Sequence, residues 1–382
     1  MASAARHWLL SSGVRCRLDG GGERGALHRA YDADRRRLLP LYPEITAYAV
    51  QFHARWSGGA SREDSDAAIE SGEWLLSIQG SRSSPAPGAF PYAVAEGQAR
   101  GGYFTFDTAI VGHALLDVAS LTGDGRYLIA AERAARWTLE QQVAAGSFGS
   151  HVGGVPPASW ASNHNCLHGK IALFLGRMWQ ETGETTYRRC ALRLLEWLAT
   201  LQRPDGAIDT ARGSDYVFTH AHCYAVEGLL AGAVILGEEI YLENAIRGAA
   251  LLANAQGRHG GLPRFMGRGA TRYLRESGAR FPLLRRLAPP LDVGATAQAV
   301  RIWSWLQPLR DRFTTPIERG LKWLAACQLR SVDARIDGAL PAGIDPLKPW
   351  RRKELKLYPW VAIFAADASR LQSQMNVGRD LY

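Results

Sequence analysis

Trp74-Leu-Leu-Ser-Ile-Gln79 is one of three copies of the same string; the others are Trp197-Leu-Ala-Thr-Leu-Gln202 and Trp323-Leu-Ala-Ala-Cys-Gln328. Two further segments keep part of it. Trp137 to Gln142 keeps both ends, and Leu251 to Gln256 keeps the glutamine with leucine in place of tryptophan. Self-similarity spread along a chain indicates a repeat architecture in which each copy is one supersecondary unit. These strings therefore decide how the rest of the sequence is divided.

A second string marks the middle of the unit, as Thr122-Gly-Asp-Gly-Arg-Tyr127, Thr182-Gly-Glu-Thr-Thr-Tyr187 and Leu236-Gly-Glu-Glu-Ile-Tyr241. Its glycine suits the left-handed residue that ends a helix. The acidic residue that follows suits the start of the next helix. From Tyr187 to Leu198 apolar residues then recur at three- and four-residue spacing, before the turn string Arg203-Pro-Asp-Gly206. Each unit is therefore predicted to be a helical hairpin.

Six hairpins are expected to stack, because a pair of helices with one apolar face each must bury those faces on neighbours. The last hairpin lacks a second helix. The segment from Ala2 to Ser12, in which Trp8-Leu-Leu-Ser11 resembles Trp74-Leu-Leu-Ser77, is expected to supply that helix and close the ring. We predict an all-α fold, a single (α/α)6 toroid domain over residues 1–382, with an open solenoid as the alternative. The first helices are expected to begin near Pro43, Thr108, Cys166, Tyr224, Ala295 and Pro359.

Two long linkers, Ser81 to Tyr103 and Leu262 to Pro290, interrupt this pattern. Both are rich in Gly, Pro, Ser or Arg, and long ordered loops are often functional lids. We find no strand-type alternation longer than a few residues, so no substantial sheet is expected.

The composition narrows the class of protein. The net charge is +9 and the sequence pI about 9.5, which favours an anionic partner or a solvated basic surface. The arginine clusters do not alternate with aromatic residues, so no nucleic-acid partner is expected. No apolar run is long enough for a membrane span, and no signal peptide is recognisable. Five scattered cysteines favour reduced thiols in a cytoplasm. The oligomeric state is not predictable from this sequence.

Candidate site residues cluster at the beginnings of the first helices. In a closed ring these N-termini share one mouth, where free N–H groups attract anions. The acidic and histidine residues there are candidates for catalysis: Asp107, His220, His222, Glu227 and Asp292. Further polar and aromatic residues are candidates for substrate binding: Glu44, Tyr103, His164, His168, Tyr224, Tyr358 and Trp360.

Each candidate also has a structural interpretation. Asp107 and Asp292 suit helix N-caps, and Glu44 suits a first helical turn by the helix dipole alone. Glu227 lies in an otherwise apolar stretch, so we expect it to face inward with a raised pKa and to act as the most sensitive carboxylate. His220 and His222 are expected in a loop from which both reach the mouth. The Cys166–His168 and His222–Cys223 pairs fit no zinc spacing, and no phosphate-binding glycine loop is present, so no metal or cofactor is expected.

The strings Leu41 to Tyr48, Phe106 to His113, His220 to Leu230 and Ala295 to Val300 occur in an order that resembles a toroidal family encoded in bacterial surface-polysaccharide loci. Its members are described as six-hairpin glycosidase-like or prenyltransferase-repeat-like. The resemblance covers roughly Trp8 to Ala368, and Ala47 stands where that family leads us to expect glycine. Terpene cyclases are a related class, but their Asp-rich strings do not occur in this chain.

The resemblance implies a carbohydrate-active protein of bacterial polysaccharide metabolism that cleaves or modifies a glycan, and two kinds of chemistry are open. Hydrolysis needs two carboxyl groups across the scissile bond. Lyase or epimerase chemistry on a uronate needs a base and an opposed acid, typically His and Tyr. The alternative is a non-catalytic component that binds or assembles saccharides. The residues alone do not choose among them.

Overall fold

The structure, a computed structural model, describes residues 1–17, 22–57, 61–154, 166–210, 216–267, 289–309, 311–346 and 355–373. Within these ranges the chain forms twelve α-helices. They are α1 (Ala2–Ser11), α2 (Pro43–Ser57), α3 (Arg62–Ile78), α4 (Thr105–Thr122), α5 (Gly125–Glu140), α6 (Ile171–Thr182), α7 (Thr185–Ala199), α8 (Thr219–Val234), α9 (Ile240–Ala255), α10 (Val293–Leu306), α11 (Thr314–Cys327) and α12 (Pro359–Ser373). Short 3-10 helices cover Cys166–Lys170, Gln307–Leu309 and Asp311–Phe313.

The helices form two concentric rings. The inner ring is α2, α4, α6, α8, α10 and α12; each contacts the next, and α12 contacts α2. The outer ring is α3, α5, α7, α9, α11 and α1, with α1 packed on α12. The predicted (α/α)6 toroid and its closure by the N-terminal helix are therefore confirmed.

Burial explains why the two rings differ in sequence. The inner helix α8 is buried at every residue from Thr219 to Gly232, and α4 is buried at every residue from Thr105 to Leu116. Apolar residues are therefore distributed around the whole circumference of both helices. The outer helices α5 and α7 bury one face only, through residues such as Tyr127, Ala131, Tyr187 and Leu194. The sequences of these two outer helices therefore show the three- and four-residue period.

The glutamine that ends the repeated string joins one outer helix to the next. In each of five units its Nε2 donates one hydrogen bond to a glycine carbonyl in its own turn and a second to a backbone carbonyl of the following outer helix. The ten distances lie between 2.8 and 3.2 Å. The fifth, Gln328, bonds Met1 at the start of α1, which closes the outer ring. The residues are Gln79, Gln142, Gln202, Gln256 and Gln328.

Short antiparallel strands form the rim at the N-terminal ends of the inner helices. They are β1 (Tyr31–Asp32), β2 (Arg37–Leu38), β3 (Pro91–Ala95), β4 (Gln98–Phe104), β5 (His151–Val152), β6 (Val217–Phe218), β7 (Leu262–Pro263), β8 (Phe265–Met266), β9 (Leu291–Asp292), β10 (Gly343–Ile344) and β11 (Lys356–Leu357). The pairing orders are β2-β1-β11, β3-β4-β5, β6-β8 and β7-β9-β10.

The linker Ser81 to Tyr103 contains most of the β3–β4 hairpin, whose register shifts between Pro91 and Ala93. The hairpin is short and the first residues of β4 are exposed, so no alternation of apolar residues marks it in the sequence. The described strands form only small two- and three-stranded sheets, as expected. Most of the second linker lies outside the described residues. No helix within the described ranges is long and apolar enough to cross a lipid bilayer.

Two glycines near the end of α4 give a matched test of the predicted helix stop. Gly123 has a φ of 71°, Gly125 begins α5, and neither has a described atom within 4 Å of where a Cβ would stand. Gly123→Ala is expected to lower the free energy of unfolding by about 1 kcal/mol, the cost of a left-handed alanine. Gly125→Ala is expected to raise it by about 0.5 kcal/mol. Urea unfolding measures both, and shifts in the same direction would contradict the assignment.

Candidate active site

Two buried carboxyl groups meet at the mouth. Glu44 is in the first turn of α2 and Asp107 in the first turn of the neighbouring α4, so the packing of these two helices brings their N-termini together. The side chain of Asp107 is fully buried and Glu44 is 4% exposed. The Tyr42 hydroxyl donates to Asp107 Oδ2 at 3.0 Å. Asp107 Oδ1 has no hydrogen-bond partner among the described residues.

The pKa values of this pair are raised. Burial raises the pKa of Glu44 to about 7, although hydrogen bonding to Tyr42 and the charges of Lys170 and Arg29 oppose it. Burial and the charge of Glu44 raise the pKa of Asp107 well above its usual range. Two interacting carboxyls of this kind titrate as a unit, so the pair holds a proton at neutral pH.

The raised pKa of Glu44 has a measurable consequence for stability. A carboxyl whose pKa is higher in the folded state contributes stability below its unfolded value, and this is lost as pH rises through the folded value. For Glu44 that window runs from 4.5 to about 7. Glu44→Gln removes this titration. The free energy of unfolding of the variant, relative to that of the wild type, is therefore expected to increase as pH rises through the window. Urea unfolding at several pH values measures the difference, and a constant difference would contradict the raised pKa.

A cation that the sequence analysis missed faces the carboxyl pair. The backbone N–H of Arg29 donates to Pro40, which fixes its strand segment beside the chain leading into α2. Its guanidinium carbon lies 5.6 Å from the ring centroids of both Tyr42 and Tyr92. The charge of Glu44 also acts on Arg29. The sequence carries no signal for it, because Arg29 precedes the first hairpin and matches no repeated string.

An aromatic group with one histidine continues the mouth. The His220 ring centroid is 4.6 Å from those of Tyr224 and Trp360. Burial lowers the pKa of His220 to about 4, so the imidazole is neutral at pH 7. Tyr358 and Trp360 are partly exposed and lie 6.5 Å apart, centroid to centroid. These rings present flat surfaces of the kind that stack on sugar rings.

Glu227 lies deeper than the mouth. It comes seven residues after His220 in α8, which at 1.5 Å per residue is about 10 Å further along the axis. Its Oε2 is 2.8 Å from Lys170 Nζ and its Oε1 is 3.4 Å from Arg301 Nη1. All three side chains are buried.

The electrostatics of Glu227 correct the sequence-based expectation. Burial raises its pKa, but the charges of Lys170 and Arg301 outweigh burial and hold that pKa below its usual range. The expected raised pKa is therefore wrong, because both cations come from other helices. The cavity beside it has contributions from all six inner helices, yet its volume of about 10 Å³ has room for roughly one water.

Asp292 and His222 make structural contacts. Asp292 caps α10, since its Oδ1 accepts from the N–H of Ala295 at 2.8 Å. His222 bonds the backbone at both ring nitrogens, accepting from Ile208 at 3.3 Å and donating to the Gly248 carbonyl at 3.1 Å. The expected loop is helical: both histidines lie in the first turn of α8, and helix residues two apart do not share a face. His222 therefore points toward the outer helix α9.

The remaining candidates are scattered. Tyr103 is partly buried at the end of β4 and packs on a small cluster with Trp137. The buried His168 lies 6.4 Å from Phe148, centroid to centroid. Tyr224 accepts a hydrogen bond from the Tyr48 hydroxyl at 2.9 Å. His164 lies outside the described residues. Within the described ranges, no three His, Cys, Asp or Glu side chains converge where a metal ion could be held.

Comparison with known proteins places the fold. No protein-family model and no curated protein matches this chain. Among solved structures, an unsaturated glucuronyl hydrolase from a Bacillus species, described as responsible for glycosaminoglycan degradation, is 14% identical with a TM-score of 0.69; the match covers 100% of this chain and 99% of that one.

Two further solved structures match along nearly their whole length. A cellobiose 2-epimerase from Bacillus thermoamylovorans is 10% identical with a TM-score of 0.72, over 96% of this chain and 98% of that one. An α-mannanase from Bacteroides thetaiotaomicron is 12% identical with a TM-score of 0.65, over 97% and 94%. At this identity the likeness concerns architecture. The chain has the (α/α)6 toroid fold of these glycosidase-like structures.

Proposed function

We propose that this protein is a carbohydrate-active enzyme that cleaves or modifies an anionic glycan by acid/base chemistry at the mouth of the toroid. The observation that carries the proposal is the buried Glu44–Asp107 pair, with its raised pKa values and the unpartnered Oδ1 of Asp107. Keeping two electrostatically coupled carboxyls out of water is costly for folding, and such costs are typical of functional sites. The similar solved structures act on saccharides by their printed names, which supports the same substrate class here.

In glycoside hydrolysis the two carboxyls take different roles. We assign the proton of the pair to Asp107, because its Oδ1 has no hydrogen-bond partner among the described residues and can donate that proton to the glycosidic oxygen as the C–O bond breaks. Glu44, ionised at and above pH of about 7, accepts a proton from the attacking water. The Tyr42 hydroxyl holds the other oxygen of Asp107 in place.

A second candidate chemistry rests on His220. Its imidazole contacts Tyr224 and Trp360 and is unprotonated at neutral pH, so it can accept a proton from carbon, as epimerisation or elimination of a uronate requires, although its lowered pKa makes it a weak base. A third candidate is a saccharide-binding or assembly component without turnover, for which the same aromatic rings would serve. We further propose a role in bacterial polysaccharide biosynthesis in the cytoplasm, which is compatible with the five free cysteines.

Mass spectrometry after incubation with uronic-acid-containing oligosaccharides separates these candidates. Hydrolysis yields fragments whose masses sum to the substrate plus one water. Elimination yields fragments that sum to the substrate, and epimerisation changes retention without changing mass. Binding without any product would support the non-catalytic candidate. The proposal would be contradicted if neither binding nor product were found with any of the acidic and neutral glycans.

A further inference from the structure

We propose that Arg29 recognises the anionic group of the substrate, binding a sugar carboxylate beside the Glu44–Asp107 pair. The inference rests on the proposed function for its substrate class, and it assigns the preference for acidic over neutral sugars to one side chain.

The first support is the absence of a direct ion-pair partner for Arg29. Among the described residues, no carboxylate oxygen lies within 4.0 Å of the Arg29 guanidinium, and no side-chain hydrogen bond of Arg29 is formed. Other partly or fully buried arginines nearby do have such partners: Arg301 contacts Glu227, and Arg177 contacts Asp117. A half-buried guanidinium whose N–H groups contact no carboxylate directly is in the state expected of a group that binds an anion from outside.

The second support is how Arg29 is held. Tyr42 and Tyr92 pack edge to face with centroids 5.0 Å apart, and the guanidinium lies 5.6 Å from each ring. Stacking on aromatic rings restrains the plane of the guanidinium while leaving its N–H groups for a ligand. That planar fork matches a carboxylate bidentately. The site is thus ready to orient an acidic sugar before the sugar binds.

The third support is position. Tyr42 contacts Arg29 with its ring and Asp107 with its hydroxyl, so a single side chain separates the cation from the acid. A sugar carboxylate on Arg29 would therefore place that same sugar ring over the Glu44–Asp107 pair. Sugars carrying a sulfate share the anionic chemistry, and the experiment includes them as a separate arm.

The test compares Arg29→Met, Arg29→Lys and, as a matched control, Arg100→Met. Arg100 is an exposed residue of β4 on the same rim, so its loss removes one positive charge without touching the site. Calorimetric titration uses a glucuronate-containing disaccharide, its neutral glucose counterpart and a sulfated glucose counterpart. Arg29→Met is expected to weaken binding of the glucuronate sugar about 30-fold, as for lost hydrogen bonds to a charged group. Arg100→Met should change it less than about 3-fold, as screened surface charges do.

Binding of the neutral sugar should be unchanged in Arg29→Met. Arg29→Lys keeps the positive charge but lacks the planar guanidinium, so it should bind the glucuronate sugar more tightly than Arg29→Met and less tightly than the wild type. Equal weakening of acidic and neutral sugars would overturn the inference, because it would mean that Arg29 only supports the tyrosines. Sulfate-sugar binding that depends on Arg29 without any glucuronate binding would overturn the carboxylate assignment. Arg29-dependent binding without product would support this inference and contradict the enzymatic proposal. Product formation that does not depend on Arg29 would support the enzymatic proposal and contradict this inference.

Discussion

Asp107→Asn is expected to lower kcat by about three orders of magnitude, because the general acid is lost while the shape of the side chain is kept. The unpartnered Oδ1 of Asp107, together with its raised pKa, is the reason for proposing it as the proton donor of the pair. Replacing a buried protonated carboxyl with a neutral amide changes the free energy of unfolding little, so the melting temperature should stay close to that of the wild type. Steady-state rates at pH 7 on the glycan that gives product measure the effect.

Asp292→Asn is the matched control for that experiment. Asp292 is also a buried carboxylate at the mouth, but its Oδ1 caps α10 through Ala295. Asparagine caps helices about as well as aspartate, so activity and stability should both change little. Equal loss of activity in the two variants, or nearly full activity in Asp107→Asn, would show that the acid has been assigned to the wrong residue.

Glu227→Gln is expected to lower the free energy of unfolding by about 3 kcal/mol, since it leaves buried Lys170 without its carboxylate and removes the nearer of the two carboxylates that Arg301 contacts. Turnover per folded molecule should fall much less than in Asp107→Asn, because Glu227 lies below the mouth beside a cavity too small for a sugar. Urea unfolding and rates corrected for the folded fraction give the two quantities.

The double variant Lys170→Met with Glu227→Gln tests the cause. If the loss in Glu227→Gln comes from an unpaired cation, adding Lys170→Met should recover part of it, giving a strong coupling energy. Additive losses would mean that packing, and not charge, accounts for the effect. A loss of turnover in Glu227→Gln as large as in Asp107→Asn, without a loss of stability, would restore Glu227 as a catalytic residue.

The fold was predictable because its determinants are local and repeated. Gly123 and Gly183 take the left-handed conformation with φ of 71° and 72°, as the turn strings predicted. The Trp–Gln strings recur because each glutamine bonds the next outer helix, and Gln328 reaches α1 by the same contact. Because the glutamine that makes this bond lies at the end of the same short string in each unit, the repetition of the string reveals the contact.

The site was only partly predictable because its electrostatics depend on contacts between helices. Glu44 and Asp107 were recognisable from their positions at helix N-termini, but their mutual coupling comes from the packing of α2 on α4. The partners of Glu227 come from Lys170 before α6 and Arg301 in α10, where a one-dimensional pattern shows no pairing. His222 was misplaced because the start of α8 was predicted near Tyr224, whereas the helix begins at Thr219.

The most direct test of the central claim is a crystal structure of the Asp107→Asn protein with a uronic-acid-containing oligosaccharide, the substitution being chosen to prevent turnover. The account predicts one sugar ring over residues 44 and 107, with a glycosidic oxygen within hydrogen-bonding reach of the side chain at position 107. It also predicts the sugar carboxylate on Arg29. An oligosaccharide bound elsewhere on the toroid, with the Glu44–Asp107 mouth left empty at saturating ligand, would contradict the claim that this carboxyl pair is the active site.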